Sequence, residues 1–501
     1  MKKILTSRQM KKCDMLTIFR GTPSVTLMER AARSVFDNIM DSGFCLDKVL
    51  VVCGSGNNGG DGLLVAKYLY EADVPCNVWY VGEGHTMSEE TEELYLELSS
   101  SEIEFVESPN ISEYTLIVDA ILGTGLSFPA QGLIKDAINA INDSDAHVVA
   151  VDIPSGISSD TGAIMGCAVC ADMTVAIQEY KRGHFMADGV DASGKVICTD
   201  IGIETEEAFN GADISLFALC ENDLHLIPKR KRSSHKGEFG RVLIIAGSKG
   251  MSGAAYLSAM AAYRSGAGLV EIFTHEANRQ ILQSLIPEAI VTVYDPLVFR
   301  TEALYTAMER ASVIVIGPGM GTDTTAVRIV EEVFEHSMAP LIVDADALNI
   351  KAREQIPFPN DVPVIVTPHP LELSRLTGIN VKELSRDTVE SALKFAREND
   401  VICVSKFART VITDGESVFV NMSGGPSLSK GGSGDVLTGV IAGMLCSDLS
   451  PLLAAAMGAY VHGAAGDISA KEYGEYSPLA RDVLDSIPLV LRNAGGKSRW
   501  Q

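Results

Sequence analysis

Gly431-Gly432-Ser433-Gly434-Asp435 runs directly into Val436-Leu437-Thr438-Gly439-Val440-Ile441-Ala442-Gly443. Glycines and a serine at the start of an apolar helix leave main-chain N–H groups bare where the helix dipole is positive, which suits an anion such as a phosphate. Asp435 comes one step later, a carboxylate that the same helix end is expected to keep ionised and to aim at whatever lies beside the anion. The pairing predicts chemistry on a hydroxyl next to a phosphate.

On either side of that stretch, short β-branched runs alternate with longer helical patterns, which predicts an α/β fold of parallel sheets flanked by helices. Strands are expected at 48–53, 77–81, 115–119, 147–151, 173–177 and 195–199, then at 241–246, 269–273, 313–316, 341–344, 363–367, 401–404, 410–413 and 417–420. Between the two sets, residues 204–236 turn polar and then basic, with Pro228 and the cluster Ser233-Ser234-His235-Lys236-Gly237, and read as a connector. The boundary is placed near residue 220, with domains over 1–215 and 221–501. Glycines gather where strands hand over to helices, the edge at which open α/β sheets bind ligands.

With 501 residues, 46% of them apolar, the chain supports about two to four domains with sizeable cores. A formal charge of -24 argues against nucleic acid as a partner, because phosphodiester binding needs basic surface. The dense basic run Lys229-Arg230-Lys231-Arg232 reads as a solvated segment between domains, or alternatively as a charged flap over a nucleotide. Ten cysteines lack framework spacing, and Cys167-Ala168-Val169-Cys170 lacks the second pair a structural zinc needs, so free thiols in a reducing compartment are expected. The first residues carry charge without an apolar h-region, and no apolar run approaches ~18 residues. No membrane partner, a cytoplasmic location and a homo-oligomer are expected.

In the N-terminal half, the first strand delivers Gly54-Ser55-Gly56-Asn57-Asn58-Gly59-Gly60-Asp61-Gly62 ahead of a helix beginning near Leu63. The segment contains GxGxxG, the dinucleotide fingerprint, and Glu83 after the next strand is placed to serve as the ribose-binding acid. Against that reading, Asn57, Asn58 and Asp61 crowd the turn with side chains, and a carboxylate at the helix start would repel a pyrophosphate. The strand ends Asp119-Ala120-Ile121-Leu122-Gly123-Thr124-Gly125-Leu126 and Val151-Asp152-Ile153-Pro154-Ser155-Gly156-Ile157 point to the same crevice, where Asn58, Asp119, Asp152 and Ser155 would share a site. Asp119 with amide and hydroxyl oxygens is a hard-oxygen set for a non-transition cation, which leaves Asp152 for acid/base work. Taken singly, each aspartate reads as a turn or N-cap residue.

GSGNNGGDG, DAILGTGL, VDIPSG and the stretch YKRGH resemble the N-terminal YjeF domain, the NAD(P)H-hydrate epimerase family, over roughly residues 8–205. The resemblance implies a Rossmann-like three-layer αβα sandwich. It also implies that Asn57, Asn58, Gly59, Gly60 and Asp61 embrace a hydrated nicotinamide nucleotide together with Gly123, Thr124, Gly125, Leu126, Ser127, Phe128 and Pro129. Asn58, Asp119 and Ser155 would hold a potassium ion, and Asp152 would contact the substrate and act as acid/base at the hydroxyl-bearing ring carbon. Lys181 matches the family's KxG stretch.

The C-terminal half carries Ala246-Gly247-Ser248, Met251-Ser252-Gly253-Ala254-Ala255 and Arg264-Ser265-Gly266-Ala267-Gly268-Leu269-Val270, small residues that permit close approach of backbone or ligand. Gly317-Pro318-Gly319-Met320-Gly321, Asp344-Ala345-Asp346-Ala347-Leu348-Asn349 and Thr367-Pro368-His369-Pro370-Leu371-Glu372 each follow a strand. In this order, ending in GGSGDVLTG, the signatures resemble the ribokinase-like superfamily and, within it, the NAD(P)H-hydrate dehydratases, over roughly residues 225–495. The resemblance implies a C-terminal ribokinase-like α/β domain in which Ala254, Gly319 and His369 line the hydrate pocket. Lys406, Phe407, Ala408, Arg409, Thr410 and Gly434 would contact ADP or ATP, and Asp435 would face the substrate as the catalytic carboxylate. Magnesium is expected beside the nucleotide phosphates. Two departures stand out: Phe407 replaces the glycine of the family's KGAxT, and GSGD replaces the commoner GTGD.

Asp344 and Asp346 read as turn formers at a strand exit, and His462, in a small-residue helix, as a satisfied core histidine. The leading reading is a bifunctional repair enzyme that epimerises NAD(P)H hydrate and dehydrates the S form at the expense of ADP or ATP. A small-molecule kinase using Asp435 as base, and a non-enzymatic binding module in the first domain, are the alternatives.

Overall fold

The computed structural model describes residues 1–82, 87–206, 216–492 and 494. Glu83, the expected ribose-binding acid, lies outside the described residues. The chain divides into two compact units, Lys2–Ser215 and Leu216–Gln501.

In the first unit, a sheet of seven parallel strands runs in the order Glu104–Phe105, Cys76–Tyr80, Val49–Cys53, Leu116–Ala120, His147–Val151, Met173–Ile177, Lys195–Thr199. Alternate residues of its third strand, Val49–Cys53, separate into two cores. Val49, Val51 and Cys53 pack with the helices Ser24–Asp41 and Asn57–Glu71, while Leu50 and Val52 pack with the helix Gly132–Asn142. Covering both faces of a parallel sheet is why the strand reads as a continuous apolar run, and it makes the unit a three-layer sandwich. Each such side chain contributes about 1.5–3 kcal/mol by leaving water. Val49–Cys53 and Leu116–Ala120 are neighbours whose following connections go to opposite sides of the sheet. Their carboxyl ends therefore frame a crevice.

The second unit repeats the logic in the order Ile290–Tyr294, Leu269–His275, Arg241–Ile245, Val313–Ile316, Leu341–Val343, Val364–Val366, Ile402–Lys406, all parallel. Thr410–Thr413 and Val418–Val420 continue it antiparallel. The switch falls beside Arg241–Ile245. Helices Ser252–Arg264, Ser433–Leu445, Pro451–Tyr473 and Ala480–Leu491 form a layer over Val242 and Ile244. Small residues set their spacing: a Cβ on Gly439 would lie 2.2 Å from the Ser258 carbonyl oxygen.

Every expected strand is present within a residue or two at its ends, and Ile290–Tyr294 is an additional one. Leu216–Ala218, inside the segment expected to be a connector, is a strand paired in parallel with Val418–Val420. Among the described residues, no helix is long and apolar enough to cross a membrane.

Candidate active sites

The crevice of the first unit is drawn tight by glycine. A Cβ on Gly54 would lie 2.0 Å from the Ile121 carbonyl oxygen, so only glycine lets the two strand ends meet. Gly123 approaches the side chain of Asn58, to whose Cβ an added Cβ would come within 3.2 Å. Ser155 completes the junction, donating from N to Asp119 Oδ2 (2.8 Å) and from Oγ to Asp119 Oδ1 (2.5 Å), while its Oγ accepts from Leu122 N (2.8 Å). Asn58, Asp119, Ser155 and Gly123 are thereby brought together. Asp119 is fully buried, and burial raises it to about 6. Its hydrogen-bond donors, from Ser155 and Ile121, are all neutral. The amide nitrogen of Asn58 is buried without a partner. Of the expected substrate loops, Gly59 and Gly60 are buried, whereas Asn57, Gly125, Ser127, Phe128 and Pro129 are exposed, Phe128 by 77%.

Asp152 sits at the end of its strand with φ 65°, a left-handed conformation a non-glycine residue holds only under constraint. The constraint is visible: Asp152 Oδ1 accepts from Ile177 N (2.9 Å) and from Lys181 Nζ, and the Asp152 carbonyl oxygen pairs with His184 Nε2 (2.8 Å). His184 Nδ1 accepts from Lys181 N (3.1 Å), so the proton of the neutral ring is on Nε2. Burial, with the nearby Lys181 ammonium, lowers His184 to about 4 and keeps it neutral. Two further carboxyls face this group. Burial raises Asp61 well above the ordinary carboxylate range, reinforced by Asp152 and Asp14. Burial also raises Asp14, on the helix Ser7–Phe19, to about 6. The expected repulsion between an Asp61 carboxylate and a pyrophosphate is weakened, because burial disfavours the charged form. Asp14 belongs to no motif and carries no sequence signal.

In the second unit, Gly432 adopts φ 93° as the N-cap of the helix Ser433–Leu445, and no side chain caps that end. Ser433 N donates to the Lys430 carbonyl oxygen (3.3 Å), so of the first turn only the N–H groups of Gly434 and Asp435 are left for an anion. Asp435 is in the first turn; its carbonyl oxygen accepts from Ser258 Oγ (2.8 Å). Ser258 lies one turn after Ala254 on the helix Ser252–Arg264, and a Cβ on Gly319 would come 2.9 Å from Ala254 Cβ. Ala254, Gly319 and Asp435 are thus gathered at one edge. The prediction that the helix end keeps Asp435 ionised is corrected by its surroundings: burial, then the Asp344 carboxylate, raise it to about 7.

Asp344 is also not a turn former. It occupies the N-cap of the helix Ala345–Glu354 without capping it. Its buried Oδ1 instead accepts from Thr367 Oγ1 (2.6 Å) and Lys406 Nζ (2.9 Å). Asp346 is not a turn former at the strand exit either: it lies in the first turn of that helix and accepts from Gly321 N (2.8 Å), 25 positions earlier. His369 caps the helix Pro370–Thr377 through Nδ1, and its Nε2 lies 3.3 Å from Glu372 Oε1. Burial, then Lys406, lower His369, and burial raises Glu372 to about 6. Lys406 and Thr410 pair across a tight hairpin whose tip is Phe407, Ala408 and Arg409. Arg409 donates to the carbonyl oxygens of Met422 (2.9 Å) and Gly424 (3.2 Å). Phe407 has no positive φ, so the hairpin does not demand a glycine there. His462 is buried and bonded to the Ser433 main chain, yet its Nε2 has no partner, so the expectation of a satisfied core histidine is corrected. Burial and Lys406 lower it to about 4.

A family profile described as NAD(P)H-hydrate dehydratase matches residues 242–489, and one described as YjeF-related protein N-terminus matches residues 24–183. The bifunctional NAD(P)H-hydrate repair enzyme Nnr of Moorella thermoacetica is 36% identical, over 98% of this chain and 97% of that protein. The enzyme of the same name from Coxiella burnetii is 34% identical, over 97% and 98%. A solved ribokinase-like superfamily protein from Enterococcus faecalis superposes with a TM-score of 0.52 at 31% identity, covering 56% of this chain and 97% of its own. With strand-end loops, glycine turn and full-length similarity in agreement, the chain belongs to the family of bifunctional NAD(P)H-hydrate repair enzymes.

Proposed function

We propose that the first unit epimerises the R and S forms of NAD(P)H hydrate and that the second dehydrates the S form to NAD(P)H at the expense of ADP or ATP. The observation that carries the reading is the placement of Asp435, a part-buried carboxyl raised to about 7, in the first turn of a helix whose N-terminus no side chain caps. A base with a pKa near neutrality is matched to removing a hydroxyl proton at physiological pH. The N–H groups around Gly432 to Gly434 and the Lys406 ammonium hold the phosphates.

In the second unit the hydrate hydroxyl attacks the terminal phosphorus of the nucleotide, its proton passes to Asp435, and the shortened nucleotide leaves. Phosphate is then a good leaving group. The ring nitrogen lone pair expels it, and loss of a proton from the neighbouring carbon restores the dihydronicotinamide. Magnesium would supply counter-charge to the phosphates. Among the described residues no group of three or more His, Cys, Asp or Glu side chains is placed to hold a metal ion, so magnesium enters with its nucleotide.

In the first unit Asp152, fixed by Lys181 and His184, is the acid/base at the hydroxyl-bearing carbon. The loops Asn57 to Asp61 and Gly123 to Pro129 take the nucleotide. A potassium ion held by Asn58, Asp119 and Ser155 fits the chemistry of the junction: a buried carboxylate whose donors are all neutral gains from a cation. Turning the Asn58 amide over would present its oxygen where a nitrogen is now unpartnered. Ten free cysteines support a cytoplasmic location, and self-association is tested by sedimentation. The function is tested by incubating purified protein with mixed hydrate epimers and each nucleotide while following dihydronicotinamide absorbance. Recovery of both epimers is expected, and a phosphorylated product that accumulates instead would overturn the dehydratase reading.

A further inference from the structure

Three adjacent parallel strands, Leu341–Val343, Val364–Val366 and Ile402–Lys406, deliver Asp344, Thr367 and Lys406 to one point at their carboxyl ends. Asp344 is 2% exposed and receives both other side chains on Oδ1. The chain is bent hard to put it there. Ala345 has φ 46°, and a Cβ on Gly317 would lie 1.8 Å from the Asp344 carbonyl oxygen. Such strain in a non-glycine residue persists where the surroundings over-determine it. Directly above lies the glycine turn: a Cβ on Gly434 would be 3.5 Å from Lys406 Nζ and 3.7 Å from Asp344 Oδ2.

We propose that Asp344 is a positioning residue of the phosphoryl-transfer site: it pins the Lys406 ammonium beneath the glycine turn and confronts the part-buried Asp435 with a buried carboxylate. The inference rests on the dehydratase reading of the second unit. While Lys406 is engaged by Asp344 it still lowers Asp435, but by less than burial and Asp344 raise it. The neighbouring negative charge also makes proton uptake by Asp435 more favourable, in agreement with the raised value of about 7. Other charges face the same group: Asp346 beside Asp435, Glu372 and His369 from the helix Pro370–Thr377, and His462 from the helix Pro451–Tyr473. None of these shares the direct bond to Lys406 Nζ that Asp344 makes.

Two substitutions then have opposite signs. Asp344→Asn removes the like charge and frees Lys406 to pair with Asp435, so the acid limb of the dehydratase kcat/KM profile moves down by about 1–3 pH units. The plateau falls about tenfold or more, because a weaker base takes protons less readily. Lys406→Met removes the cation and moves the same limb upward. The experiment is a pH–rate profile of the full-length wild type, Asp344→Asn and Lys406→Met, with thermal melting and epimerisation as folding controls. Should Asp344→Asn not fold, the upward movement in Lys406→Met and a smaller downward movement in Thr367→Val, which loosens Asp344, are read instead. Activity lost with the limb unmoved, or limbs moving in the same direction in both charge variants, overturns the proposal. No dehydration by the wild type would overturn the underlying reading instead.

Discussion

Lys181 donates to Oδ1 of Asp152 from inside the first unit, with its side chain 1% exposed against 14% for the carboxylate. An ammonium so deeply buried needs its counter-charge, and breaking such a pair costs about 3–5 kcal/mol. Lys181→Met is therefore expected to lower the melting temperature and abolish epimerisation together. Asp152→Asn keeps an acceptor for Lys181 but loses the proposed base. It should slow epimerisation by about 100-fold or more while dehydration of the S form continues, measured by separating the epimers chromatographically. Unchanged epimerisation in Asp152→Asn would favour a binding role for this unit.

Gly319 has φ 55° and its Cα faces Ala254, the nearest atom to an added Cβ at 2.9 Å. Gly319→Ala has to accept both a left-handed backbone and an overlap with the helix Ser252–Arg264. We expect a loss of about 1–3 kcal/mol in stability and a raised KM for the hydrate, with epimerisation unaffected. A wild-type KM would place the hydrate elsewhere.

The architecture was legible because parallel strands buried on both faces declare themselves as apolar runs, and because Gly54, Gly317 and Gly432 mark where the chain must turn closely. Ile290–Tyr294 had an equally readable β-branched pattern, but as a half-exposed edge strand it lacks a flanking glycine loop. The catalytic surroundings were harder to read. Asp435 was identifiable from its helix, yet its ionisation depends on Asp344, 91 positions earlier in the sequence, and on a burial no local pattern reports. The same holds for Asp14, which reaches Asp61 and Asp152 only through the fold.

Asp119 gives a cation-linked prediction. Burial raises its pKa to about 6, so in the absence of a cation it takes up a proton as pH falls through that value. In the proposed site potassium would bind the ionised form, so that proton and cation compete. The potassium concentration for half-maximal epimerisation should be flat above about pH 7 and rise about tenfold per unit below about 6. Asp119→Asn should remove the response to potassium altogether. A potassium requirement that does not change with pH would exclude Asp119 as its ligand.

In the proposed dehydration the titrating group is Asp435, which has to be deprotonated to accept the hydroxyl proton. Its pKa is raised to about 7, first by burial and then by Asp344, so kcat/KM should climb with pH through that value and level off above it. Asp435→Asn removes the acceptor without changing the size of the side chain and should lower kcat by about 100- to 10,000-fold. Nucleotide binding, which we assign to the helix N-terminus and Lys406, should survive in that variant, as read by calorimetry with ADP. Loss of epimerisation alongside dehydration in Asp435→Asn would contradict the assignment of the two reactions to separate units.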